Sequence, residues 1–203
     1  MSGPQAPSRL PDNAAAHVRW RLFVAAPVPE MAAARVFEAL AEARTRHPMV
    51  KWLPINKLHL TLVFLGQTDP ARIDELSAAV SRIAAQHEPF NVVTGDGGGK
   101  LHDRRGGVAW LRLNEGGHRM AQLSIDLDNA IGSHTFDDKH APRPHLTVAR
   151  GVSEAALTDI QTLAAQVTIG WTVDQLVLMR SHTDPKGSIY EPLFRTELVL
   201  EPV

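Results

Sequence analysis

The chain carries two copies of one short pattern, His59-Leu60-Thr61-Leu62 and His145-Leu146-Thr147-Val148. In a strand, successive side chains point to opposite faces. His59 and Thr61 then share one face, while Leu58, Leu60, Leu62 and Phe64 share the other and fit a core. The second copy repeats this facing, with His145 and Thr147 together and Leu146 and Val148 inward. An imidazole with a pKa near ~6.5 serves as either acid or base near neutral pH. Each role is typically worth about 10²–10⁴-fold in rate. A pair of imidazoles therefore suits in-line cleavage of a phosphodiester: one takes a proton from the attacking oxygen and the other gives one to the leaving oxygen. The two threonine hydroxyls can donate hydrogen bonds to the non-bridging oxygens, where negative charge is held in the transition state. The plainer reading is two edge-strand histidines beside threonines that simply favour strands. Recurrence of the whole pattern with the same facing weighs against it.

A metal centre is the competing chemistry. Zinc usually takes three or four ligands. The chain has no cysteine, and no acidic residue sits within either motif. His87-Glu88 lacks the second histidine of a zincin helix. His134 and His140 flank Asp137 and Asp138, which reads as a solvated loop. The expectation is catalysis without a metal and without a cofactor.

Several elements must position the two motifs. Val18 to Ala25 and Leu58 to Leu65 read as strands, with an Ala-rich helix over Met31 to Arg46 between them. Asp69-Pro70 starts a helix over Ala71 to Gln86. Phe90 to Thr94 and Val108 to Leu113 read as a hairpin around a glycine-rich, charged turn from Gly95 to Gly107. In the second half, Gly117 to Ile131 has a helical pattern and Pro144 to Ala149 is a short strand. A helix follows over Ser153 to Ala165, with Ser153 as its N-cap. Two strands, Val173 to Arg180 and Tyr190 to Leu200, close the chain. Each half thus places a helix before its histidine strand and a helix after it. This order predicts an α+β fold of pseudo-duplicated halves around one cleft.

With 203 residues the chain can bury a sizeable core. Its formal net charge of -1 gives no global positive field of the kind a tight nucleic-acid binder carries, so an anionic substrate needs a local basic patch. Aromatic residues make up only 5%, which argues against a broad base-stacking surface. The lack of cysteine rules out disulfides and a thiolate nucleophile and is compatible with a cytoplasmic location. Residues 1–16, rich in Ala, Pro, Ser and Asn, read as a disordered lead-in without a secretory pattern. No run approaches the ~20 apolar residues of a membrane helix. Residues 17–203 read as a single bilobal domain, and nothing in them calls for an obligate protein partner.

The paired motifs resemble those of the 2H phosphoesterase superfamily, and within it the RNA 2',3'-cyclic phosphodiesterases, also called 2'-5' RNA ligases. Lys51-Trp52, the run Asn56 to Leu62, Phe64-Leu65-Gly66, Pro144 to Arg150, and the late Leu178, Ser181, Gly187 and Tyr190 carry the likeness. It implies a bilobal fold with two antiparallel sheets flanking a central cleft, helices outside, and one motif from each lobe. It also implies that the partner is an RNA 3' end or nucleotide bearing a 2',3'-cyclic phosphate. His59 would protonate the leaving 3' oxygen and His145 would activate water, leaving a 2'-phosphate. Joining of tRNA halves through a 2'-5' bond is the same site run backwards, and an RNA-end-binding module without turnover is the non-enzymatic alternative. The family's Gly-x-Phe-Pro element is replaced here by Gly97-Gly98-Gly99-Lys100-Leu101.

Around the four motif residues, Arg150 is a candidate phosphate ligand, since a guanidinium binds phosphate bidentately. Tyr190 and Phe23 are candidates for stacking on a base. Lys100, Arg104 and Arg105 read as a soluble basic loop, and Trp52, Trp110 and Trp171 as structural.

Overall fold

Apolar residues at alternate or helical spacing collapse into one antiparallel sheet backed by helices. The computed structural model describes residues 18–101, 106–133, 136, 141–184 and 187–199. The expected lead-in at 1–16 lies outside them, as do Arg104, Arg105, His134, His140, Asp137 and Asp138. In chain order the elements are β1 (Trp20–Pro27), α1 (Glu30–Ala39), α2 (Ala41–Arg46), β2 (Lys51–Trp52), β3 (His59–Thr68), α3 (Ile73–Ala84), β4 (Phe90–Lys100), β5 (Gly107–Glu115), α4 (Gly117–Ile131), β6 (His145–Val152), α5 (Glu154–Ala164), β7 (Gly170–Val173), β8 (Gln175–Asp184) and β9 (Gly187–Glu197).

The strands run in the order β7-β4-β5-β6-β3-β1-β8-β9, with β2 paired to β6. The two expected antiparallel sheets are present as the two halves of one continuous sheet. They meet where β3 and β6, the two histidine strands, pair through Leu60 and Leu146. Both leucines are 0% exposed. The helices cover the core face: α4 packs on β3 and α3, α3 also on β8 and β9, and α5 on β4, β5 and β6. Among the described residues, no helix is long and apolar enough to cross a membrane.

Strict alternation fails at two matched places. Thr61 pairs with Ala25 and Val63 with Val24, so Leu62 is an extra residue in β3. Thr147 pairs with Trp110 and Ala149 with Ala109, so Val148 is an extra residue in β6. Such a bulge reverses the facing of the strand residues beyond it. Phe64, expected in the core, is therefore 56% exposed, and Val63 takes the buried place. The same reversal brings Arg150 onto the face of His145 and Thr147.

The turn expected from Gly95 to Gly107 is strand as far as Lys100. Its glycines serve close approach rather than a bend. A Cβ on Gly97 would lie 2.8 Å from the Gln161 Cα of α5, and one on Gly98 would lie 2.6 Å from the Trp110 Nε1 on the other face. The helix expected over 31–46 is two helices, broken at Leu40. Leu40 is itself 3% exposed, so packing sets the break where no glycine or proline does. The strand expected from Val173 to Arg180 is split between β7 and β8. Ser153 caps α5 as expected, its Oγ accepting from the Ala156 N–H at 3.3 Å.

Candidate active site

The cleft face of the sheet holds a cavity of about 560 Å³ across the β3–β6 seam, lined by His59 and Thr61 from one half and by His145, Thr147 and Arg150 from the other. The two imidazoles are held alike. His59 Nδ1 donates to the Lys57 carbonyl at 2.8 Å, and His145 Nδ1 donates to the Arg143 carbonyl at 2.8 Å. A carbonyl only accepts, so Nδ1 carries the proton and Nε2 is the nitrogen left to take or give one. The carbonyl two residues back fixes ring orientation and tautomer together, once on each strand.

The two halves brace their rings differently. His59 sits 5.2 Å from the ring of Phe23 on β1 and 5.2 Å, edge-on, from that of Tyr190 on β9. Phe23 and Tyr190 also meet each other edge-on at 5.2 Å. His145 packs at 5.4 Å against Trp110 of β5. Phe23 lines the cleft but is only 4% exposed, so its ring serves as support for His59 better than as a platform for a base. Tyr190 is half-buried and keeps part of its ring on the cavity.

Burial pushes the His59 imidazole below its ordinary pKa. The Lys57 carbonyl pulls the other way, and the positive charges of Arg150 and His145 add to the lowering. His59 therefore senses a charge on the partner strand, as two groups around one site must. Replacing Arg150 by glutamine removes a cation that disfavours imidazolium, so the His59 pKa is expected to rise. An NMR titration of the His59 ring protons in the ligand-free protein measures this. An unchanged or lower midpoint would show that the guanidinium charge is not felt at the ring.

Every residue singled out for the site lines this one cavity: His59, Thr61, His145, Thr147, Arg150, Phe23 and Tyr190. Sequence reasoning gives no site role to Trp110 and Lys100, which line it too, as do Arg21, Phe64, Ser181 and Ser188. Register brings Trp110 there, pairing it with Thr147 on the neighbouring strand while Gly98 leaves room for its indole. Three further described histidines, His47, His87 and His182, each meet a carboxylate away from the cleft: Asp159 at 2.9 Å, Asp126 at 3.0 Å and Glu191 at 2.7 Å. Among the described residues, no group of three or more His, Cys, Asp or Glu side chains is placed to hold a metal.

Comparison with known proteins supplies the context. The model of the 2'-5' RNA ligase superfamily matches residues 27–185. An RNA 2',3'-cyclic phosphodiesterase of Thermus thermophilus is 30% identical over 188 residues, covering 88% of this chain and 90% of that protein. One from Thermotoga maritima is 26% identical over 182 residues, covering 87% and 95%. The crystal structure of Escherichia coli LigT in its apo form superposes with a TM-score of 0.66 at 26% identity, covering 89% of this chain and 98% of that one.

Proposed function

Because the chain belongs to the 2'-5' RNA ligase superfamily of 2H phosphoesterases, we propose that it hydrolyses the 2',3'-cyclic phosphate at an RNA 3' end, or on a nucleotide, to a 2'-phosphomonoester, using His59 and His145 and no metal. The observation that carries this reading is the matched pair of imidazoles, each with Nδ1 pinned to a carbonyl, lining one cavity across the β3–β6 seam.

The cyclic phosphate sits over the seam. His145 Nε2 takes a proton from water as the water oxygen attacks phosphorus in line with the 3' oxygen. The P–O3' bond breaks, and protonated His59 gives its Nε2 proton to the departing oxygen. The product holds the phosphate on O2', and the two histidines have exchanged protonation states, to be reset through solvent. Thr61 and Thr147 donate to the non-bridging oxygens, and the Arg150 guanidinium pairs with the phosphate charge. A bound anion also opposes the lowering of the His59 pKa by burial and neighbouring cations, favouring the protonated form that an acid needs. Trp110, Phe23 and Tyr190 hold the two rings against drift, which matters because productive geometry tolerates about 0.5 Å. In this reading residues 17–203 work as one bilobal unit, acting in the cytoplasm.

The test uses purified protein, a 2',3'-cyclic nucleotide and EDTA. The expected product is the 2'-nucleotide, at a rate unaffected by the chelator. A 3'-nucleotide would reverse the leaving group. Activity lost in EDTA and restored by metal would replace the mechanism. RNA binding without turnover would support the non-catalytic alternative.

A further inference from the structure

Register places three cations on one rung of the sheet. Lys100 on β4 pairs with Val108 on β5, Val108 pairs with Arg150 on β6, and Arg150 pairs with Lys51 on β2. Directly paired residues share a face. Lys100, Val108 and Arg150 line the active cavity, and Leu53, two residues beyond Lys51, does too. The rung therefore crosses the cleft face. With strands about 4.8 Å apart, the Lys100 backbone stands about 10 Å from that of Arg150 and the Lys51 backbone about 5 Å beyond it. Among the described residues none of the three enters an ion pair, whereas Arg46, Arg72 and Arg180 each do. Unpaired cations in a row beside a phosphate site, on a chain of net charge -1, form the local basic patch that the overall composition withholds.

We propose that Lys51 and Lys100, flanking Arg150, are the binding track for the phosphodiester backbone of single-stranded RNA leading to the cyclic end. This rests on the hydrolase reading and narrows it: an RNA end is preferred to a mononucleotide because only the RNA carries phosphates that reach both lysines. Val108 between them supplies no hydrogen-bonding group, so the track reads charge and not sequence.

The probe is a short oligoribonucleotide ending in a 2'-phosphate, with the 2'-mononucleotide as control, measured by equilibrium binding to wild type, Lys51→Gln, Lys100→Gln and the double variant. Both lysines are on the protein surface, so the variants should fold. Each lysine on a single strand contributes about 0.7 to the slope of log affinity against log salt. The double variant is therefore expected to bind the oligonucleotide several-fold more weakly with a slope lower by about 1.4, while the mononucleotide, within reach of Lys100 alone, loses clearly less affinity and at most about 0.7 of slope. Equal losses on both ligands, or no loss on the oligonucleotide, would overturn the track. Turnover of the matching cyclic substrates is read separately. A wild type that binds the oligonucleotide in this lysine-dependent way but hydrolyses neither substrate would keep the track and sink the hydrolase reading.

Discussion

Replacing either His59 or His145 by alanine is expected to lower kcat/KM on a 2',3'-cyclic nucleotide by about 10²–10⁴-fold, leaving the fold in place. The size comes from the task of each imidazole. Without His145 no imidazole remains on the attacking side to take the proton of the water, since His59 stands on the leaving side as the acid. Without His59 the 3' oxygen must leave as an unprotonated alkoxide. The threonines and Arg150 remain in both variants, so residual turnover from phosphate binding alone should survive. The losses should not multiply in the double variant, because acid and base act in a single transition state. The fold should tolerate the change because both rings lie on the cleft face: His59 is half-buried and His145 exposed, and neither fills the core. Steady-state kinetics on variants with native circular dichroism measure this. Near-normal turnover by either would show that the matching imidazole is not in the reaction.

Truncating the seam gives the largest expected effect on stability. Leu60→Ala or Leu146→Ala should each cost about 2–5 kcal/mol, the range for a fully buried leucine that leaves a cavity. These two residues pair directly, each lies one position after its histidine, and they join the two halves of the sheet. Their removal should therefore loosen the one register that brings His59 and His145 to a common cavity. Each single variant should lose activity along with stability. Because the two side chains share one environment, the double variant should show a coupling of about 0.5–3 kcal/mol rather than simple addition. Urea unfolding monitored by circular dichroism measures both quantities. A cost under about 1 kcal/mol for each, with full activity, would mean that the halves are held together elsewhere.

The chemistry-bearing residues are legible in the sequence because their signal is local. Period-two alternation sets His59 and Thr61 apart from Leu60 and Leu62, and the repeat at His145 doubles the signal. The α4 helix is readable to its ends, bracketed by Gly116 and Gly132, both with positive φ. The illegible features depend on neighbours distant in sequence. The bulges at Leu62 and Val148 exist only relative to β1 and β5, and they alone decide that Phe64 and Arg150 face the cleft. The Gly97–Gly99 run resembles a turn in sequence, and it is a strand because α5 and Trp110 press on its two faces. Trp110 reads as structural for the same reason: nothing near it in sequence announces His145 on the next strand. Strand order is also hidden, since β4 pairs with the distant β7, Phe90 beside Val173, and β1 with β8, Leu22 beside Arg180, across most of the chain.

The central claim is that both imidazoles address one phosphorus atom, and the most direct measurement is a crystal structure with a 2'-nucleotide bound. The expected result places the Nε2 atoms of His59 and His145 each within about 2.6–3.2 Å of oxygens on the same phosphate, with the Thr61 and Thr147 hydroxyls on its remaining oxygens. A phosphate held by one imidazole alone, or seated away from the β3–β6 seam, would contradict it.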